Sequence, residues 1–277
     1  MKIDLHRKSI DRGMVMSPVI FAILLALCLT GAESILVSGK ASTKNLEQTN
    51  ITLDIALFKR INLPGKFADC QEIQDAGHRI NGVYKLHING TVKEVGCFLS
   101  GAPAWTIFQA RYKGDTDFNR RLVEYANGFG NVSGDHWLGL NTIRHLVELG
   151  NNQLQIVMQS WPPSQTVIAT YGSFGIGTQD QGWPLSVGSY SGPVADDMSY
   201  SNGRVFYTSD VPDPNQCAVH QRGGWWFNYC SYAFFNGRYY RGGRYAPTSS
   251  FYDGIYWKDW LGYDYSLYSV TMAVGHR

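Results

Sequence analysis

The sequence predicts an α+β domain with a twisted, mainly antiparallel sheet, few short helices and a loop-rich aromatic C-terminal lobe. Three observations predict it. Gly82-Val83-Tyr84-Lys85-Leu86-His87-Ile88 alternates with the period of a strand, and Asn89-Gly90 follows it. That dipeptide favours a tight hairpin turn because both residues accept positive φ. Apolar residues at helical spacing occur only in short runs, near residues 117–128 and 142–149. The 277 residues include 30 Gly, 13 Phe, 8 Trp and 17 Tyr, a mixture suited to irregular loops packed around large rings.

Taken in order, Val95–Phe98 is the return strand of the hairpin and carries Cys97. Asp117 is placed as the cap of a helix with Phe118, Leu122 and Tyr125 on one face, closed by Gly128. A second helix spans Thr142–Leu149, with Ile143, Leu146 and Val147 inward and Gly150 as the stop. Gln153–Gln159 alternates polar and apolar residues as a strand does, and Val167–Phe174 reads as another. Beyond Gly182 the periodicity fades and Gly, Pro, Asn and Asp punctuate every few residues. The stretch from Trp225 to Tyr268 has the densest aromatic content, as expected of a lobe held by rings rather than by regular sheet.

The N-terminus reads as a targeting segment. Lys2, Arg7, Lys8 and Arg12 precede a 13-residue apolar run, Pro18–Thr30, and Thr30-Gly31-Ala32 supplies small residues for cleavage. The run suits a signal peptide and falls short of the ~20 residues a membrane-spanning helix needs. Residues 1–32 are therefore expected to be a signal peptide, with an uncleaved anchor as the rival reading. Residues 33–67 form a linker or short helical lead. Leu46, Leu53 and Arg60 stand seven apart, too few for a coiled coil. The domain proper is placed at 68–277.

Removing residues 1–32 takes four basic and two acidic side chains from totals of 24 and 22, which leaves 20 of each. A neutral mature chain with no basic stripe argues against nucleic acid as a partner. Export also orders the cysteines. Cys28 leaves with the apolar run, and Cys70, Cys97, Cys217 and Cys230 remain, an even set for two disulfides with three pairings open. Asn50, Asn89 and Asn131 head Asn-x-Ser/Thr sequons that an exported chain exposes to glycosylation. No nucleophile elbow, phosphate loop or metal-spaced His pair occurs, so the chain is not read as an enzyme.

The ordered run Asp69-Cys70, Gly82-Val83-Tyr84, Trp105-Thr106, Asp117-Phe118-Asn119-Arg120, Gly128-Phe129-Gly130-Asn131, Trp137-Leu138-Gly139-Leu140, Gly224-Trp225-Trp226, Cys230 and Asn236-Gly237-Arg238-Tyr239 resembles the fibrinogen-related domain. That family includes the C-terminal domains of fibrinogen, ficolins, tachylectins and angiopoietins. The resemblance implies pairing of Cys70 with Cys97 and of Cys217 with Cys230. It implies a calcium loop near Asp210 and Asp213, with calcium as the one cofactor in question, but Pro212 stands where a second ligand Asp is expected. It also implies a ligand pocket beside the fourth cysteine, formed by Tyr229, Cys230, Ser231, Phe251 and Tyr252, with a cis peptide at Tyr229–Cys230. The pocket His of ficolin-type members is absent, Ser231 following the cysteine. Trp225, Trp226, Tyr239 and Trp257 are assigned to the core, and Phe227, Phe251 and Tyr252 to the wall of a surface cup. The function so implied is a secreted, extracellular recognition protein binding glycans or glycoproteins, lectin-like in innate defence. The alternative is an angiopoietin-like signalling or adhesion ligand for a receptor protein. The oligomeric state stays open, a homo-oligomer included.

Overall fold

The computed structural model describes residues 58–247 and 250–277. The expected signal peptide, the lead segment as far as residue 57, Cys28 and Asn50 lie outside the described residues.

The described chain opens at the edge of a sheet. Ile61 N donates to Val83 O at 2.8 Å and Val83 N to Lys59 O at 2.9 Å, so residues 59–61 extend the first hairpin. Asp69 accepts Glu72 N and caps helix α1, Cys70–Asp75. Strands β1 (Gly82–Ile88) and β2 (Thr91–Phe98) then pair antiparallel in full register, Gly82 against Cys97 and Ile88 against Thr91. Asn89 and Gly90 at their turn have φ of 48° and 74°, the left-handed pair that a two-residue hairpin demands.

Strand β3 (Trp105–Arg111) is followed by helix α2 (Leu122–Asn127), the short pair β4 (Phe129–Gly130) and β5 (His136–Trp137), and helix α3 (Leu140–Glu148). Strands β6 (Gln153–Gln159), β7 (Thr166–Ile176) and β8 (Leu185–Ser191) complete the regular part. The C-terminal lobe adds helix α4 (Cys217–His220), the pair β9 (Ala233–Phe234) and β10 (Tyr256–Trp257), helix α5 (Lys258–Leu261) and strand β11 (Ser269–Gly275). The main sheet runs β1-β2-β3-β11-β6-β7-β8, with β5 and β4 attached along β3, and all its named pairs are antiparallel.

The last strand is therefore central. β11 lies between β3 and β6 and every one of its residues is buried, which returns the C-terminus into the core. A strand covered on both faces has no polar alternation to reveal it.

Two expectations are corrected. Asp117 does not cap a helix; its Oδ1 accepts Asn119 N in a local turn, and α2 begins five residues later, at Leu122. Phe118 thus stands before the helix, its ring 3.8 Å from the Arg111 guanidinium carbon. The second correction is Phe227, which is buried against Phe234 at 5.5 Å rather than lining a surface.

The core is a continuous lattice of rings. Trp137 meets Phe108 at 5.7 Å, Tyr125 at 5.6 Å, Phe206 at 5.8 Å and Trp226 at 6.2 Å, mostly tilted or edge-to-face as ring quadrupoles prefer. Trp225, Trp226 and Trp257 are buried as the sequence led us to expect, while Tyr239 is half-buried. This lattice joins the sheet to the lobe, and so fixes the irregular loops that carry the candidate site.

Candidate functional site

Both disulfides implied by the resemblance are present, Cys70–Cys97 and Cys217–Cys230, with Cα separations of 5.6 and 5.1 Å. The second shapes a surface recess. Asn228 N donates to Cys230 O at 2.9 Å, and Cys230 N approaches Cys217 Sγ at 2.9 Å. Cys230 itself has φ of 54°. This tight loop turns Tyr229 outward, 71% exposed. The cis peptide expected at Tyr229–Cys230 is not observed. Cis bonds among the described residues precede Pro103 and Pro163, and the turn comes instead from the left-handed φ of Cys230.

Tyr229, Cys230, Ser231, Phe251 and Tyr252 all line one recess of about 310 Å³. Sequence reasoning missed the partners that complete it: Tyr200, Gln221, Tyr232, Tyr256 and Tyr263. Tyr232 directly follows Ser231 and Tyr256 stands four residues after Tyr252 on β10, whereas Tyr200, Gln221 and Tyr263 come from separate segments that no local spacing marks.

The recess has paired-ring walls. Tyr200 stacks on Tyr232 at 3.9 Å and 7°, and Tyr252 on Tyr263 at 5.7 Å and 17°. Phe251 stacks on His220 at 4.4 Å. Beneath them Gln221 Nε2 donates to the Tyr256 hydroxyl at 2.7 Å and to Tyr252 O at 2.6 Å, which pins the loop carrying Tyr252. Ser231 Oγ lies 2.9 Å from the same hydroxyl. Burial raises the Tyr256 phenol above its ordinary range and pushes Tyr263 up to about 12, so both stay neutral at physiological pH. No described lining residue carries a charge. The recess can thus take an uncharged group, gripping it by ring faces and by a few hydroxyl and amide contacts.

The acids expected to hold calcium do other work. Asp210 Oδ1 accepts Leu122 N at 3.0 Å, capping α2, and also Thr208 Oγ1 at 2.7 Å. Asp213 is buried; its Oδ1 accepts Asn215 N and its Oδ2 accepts Ala218 N, both at 3.0 Å, capping α4. Calcium takes six to eight oxygens from carboxylates, carbonyls and water. Three of the four carboxylate oxygens of this pair already accept hydrogen bonds, a donor set that fits calcium poorly, and no cluster of three or more His, Cys, Asp or Glu able to hold a metal occurs among the described residues. Of the sequons, Asn89 sits exposed at the hairpin turn and Asn131 is exposed in a loop.

Behind the tyrosine wall lies a buried acid. Asp197 Oδ2 accepts Asp259 N at 2.8 Å. Its pKa is pushed up to about 7, first by burial and then by the Asp259 carboxylate, while the Asp259 N–H offsets part of the rise. Asp259 is held low chiefly by its hydrogen bond from Lys258, whose Nζ also sits 4.1 Å from the Tyr232 ring centre. A folded-state pKa above the unfolded one gives a contribution that is complete below about pH 4 and is lost as pH rises through about 7. Asp197→Asn should therefore gain stability relative to wild type between pH 5 and 8, by an amount on the order of a few kcal/mol. Urea midpoints at several pH values measure it, and parallel profiles for the two proteins would contradict the assignment.

Comparison with known proteins agrees with this architecture. Residues 66–276 match the family described as fibrinogen beta and gamma chains, C-terminal globular domain. Angiopoietin-related protein 6 of Homo sapiens is 34% identical over 215 residues, 76% of this chain and 45% of its own. Angiopoietin-related protein 1 of Bos taurus is 37% identical over 217 residues, 76% of this chain and 43% of its own. The chain thus spans about half the length of these relatives. Among solved structures, the fibrinogen-like globe domain of human ANGPTL6 superposes with a TM-score of 0.72 at 32% identity, over 77% of this chain and 96% of that one. A lamprey fibrin D-dimer, complexed with the peptide ligand Gly-His-Arg-Pro-amide, gives 0.73 at 25% identity, over 93% of this chain and 82% of that one. No described helix is long and apolar enough to cross a membrane. With its two disulfides, its antiparallel sheet and its ring-filled lobe, the chain belongs to the family of the fibrinogen C-terminal globular domain.

Proposed function

We propose that this chain is a secreted, non-catalytic recognition protein whose C-terminal lobe engages a partner protein outside the cell, as a signalling or adhesion ligand does. The observation that carries the reading is the uncharged, tyrosine-walled recess beside Cys217–Cys230, with Tyr229 and Tyr252 exposed at its rim. Tyrosine is favoured at the centres of protein interfaces because it buries a large apolar area at low entropic cost and still offers a hydroxyl. Val219, 43% exposed on α4, adds apolar surface on the lobe. The similarity to angiopoietin-related proteins favours a protein partner over a sugar, and the lamprey complex is an instance of this fold with a bound peptide.

Glycan binding is the second reading, favoured by the ring faces in the recess, which can stack on a sugar or grip a methyl group. The half-exposed Tyr252 ring narrows that recess and weakens this reading.

A screen of the mature chain against receptor ectodomains and a glycan array, with and without a chelator, tests both. Tyr229→Ala and Tyr252→Ala should each weaken binding to the captured ectodomain about 10- to 100-fold, the range of a central tyrosine. Chelator should leave it unchanged, and salt should alter it little because no charge lines the recess. Tight binding of N-acetylglucosamine that chelator abolishes would overturn the protein-partner reading and the calcium independence together.

A further inference from the structure

A second cavity, of about 360 Å³, opens on another part of the lobe surface and shares no lining residue with the tyrosine recess. It is built around Arg111 at the end of β3. That side chain is 2% exposed, yet it lines the cavity. Its Nε donates to Asp135 Oδ2, and its Nη1 to Phe235 O at 2.9 Å and Gly237 O at 2.8 Å. Among the described residues no hydrogen bond uses Nη2. Asp135 cannot supply it, because its two oxygens already accept Tyr112 N, Lys113 N and Gly114 N besides Arg111 Nε. The cavity therefore contains a fixed guanidinium edge with donor capacity to spare.

The position of that edge is enforced. The Phe118 ring lies under the guanidinium, 3.8 Å from its carbon. Gly114 packs so tightly on Tyr239 that a Cβ would stand 2.5 Å from the ring, at a φ of +68° that other residues rarely adopt. The mouth carries both signs. Arg222 and Arg238 are exposed there, and so are Asp115 and Asp117. Thr116 and Asn119 add neutral hydrogen-bonding groups.

We propose that this cavity binds an acidic sugar, a pyranose bearing one carboxylate. The carboxylate accepts a charge-assisted hydrogen bond from Nη2 of Arg111, whose other nitrogens are taken by Asp135, Phe235 O and Gly237 O, and is supported by Arg222 and Arg238. A simple anion or an acidic side chain meets the two aspartates with no hydroxyl to donate to them, so their repulsion is not offset. A uronic acid turns them to use, since its hydroxyls donate to Asp115 and Asp117 while Thr116 and Asn119 complete the ring contacts. This site is independent of the protein-partner reading and is tested apart from it.

The test is calorimetric or NMR titration of the full mature chain with glucuronic acid, glucose, inorganic sulfate and a glutamate-containing dipeptide. Glucuronic acid should bind saturably and at least about 10-fold more tightly than each of the others. Arg222→Ala and Arg238→Ala, exposed positions whose loss leaves the core intact, should each weaken it by about 3- to 10-fold. Tyr252→Ala should leave it unchanged. Equal binding of glucose would remove the role of the carboxylate. Equal binding of sulfate or of the dipeptide would remove the sugar. Indifference to both arginine substitutions, or loss with Tyr252→Ala, would place the ligand elsewhere. Any of these overturns the proposal.

Discussion

Asp135→Asn should cost about 3–5 kcal/mol of folding stability, the range for removing one partner of a buried ion pair. Asp135 is fully buried and answers four donors: Tyr112 N and Lys113 N at 2.8 Å, Gly114 N at 3.0 Å and Arg111 Nε at 3.3 Å. Asparagine keeps the shape but replaces one oxygen by an NH2 group, which then faces N–H donors. The Arg111 guanidinium would also be left buried without a counter-charge, held only by carbonyl oxygens. Arg111 already has its pKa lowered by burial, and the Asp135 carboxylate is what opposes that. Chemical unfolding gives the number through the shift of the midpoint at constant slope. A loss below about 1 kcal/mol, the worth of one ordinary hydrogen bond, would mean that the pair is hydrated and that this turn is not fixed by it. Because the same turn builds the second cavity, the variant should also lose affinity for glucuronic acid while Tyr229 and Tyr252 stay where they are.

Much of the sheet was legible in the sequence because its signals are local. The hairpin announces itself through alternation in Gly82–Ile88 and through Asn89-Gly90, and β6 has the bounds its alternation predicts, Gln153–Gln159. Helix α3 is legible too, for Ile143 and Leu146 are buried on one face. Strand β11 was not, since Ser269–Gly275 is buried at every position and a continuous buried run could equally be core helix. Strand β8 was missed for the opposite reason: Leu185–Ser191 is an edge strand of Ser, Gly and Tyr with little apolar pattern. Helix α2 starts late because its first N–H is answered by Asp210, 88 residues away, and not by the nearby Asp117. The same fact explains why an acid that resembled a metal ligand became a cap. The recess was half legible. Residues beside Cys230 could be carried over from the family pattern, but Tyr200, Gln221 and Tyr263 reach it through tertiary folding of separate segments, which leaves no spacing to read.

Replacing Cys217 and Cys230 together with serine should separate fold from function more cleanly than any single change. The bond closes a sequence separation of 13, and loop-closure entropy assigns it about 3 kcal/mol. The Cys70–Cys97 bond closes 27 residues and so should be worth slightly more, about 3.5 kcal/mol. Stability alone would thus rank the N-terminal bond first. Binding should rank them the other way. Cys70 and Cys97 are fully buried at α1 and β2, remote in sequence from the lobe and absent from the lining of the recess. Cys217 and Cys230 hold α4 against the loop that presents Tyr229, and Cys230 keeps a left-handed φ within that closure. Without the bond nothing covalent maintains that φ, and a non-glycine residue freed from it relaxes toward negative values, at a gain of about 1–2 kcal/mol. Tyr229 then leaves the rim, and the Ser231 hydroxyl is no longer held beside Tyr256. The expected result is a similar loss of stability for the two double variants, read by denaturant midpoints. Ectodomain binding should fall about 10-fold or more for Cys217→Ser with Cys230→Ser, and little for Cys70→Ser with Cys97→Ser at a temperature where both stay folded. Equal binding losses would show that the recess depends on global stability and not on the local closure of its own loop.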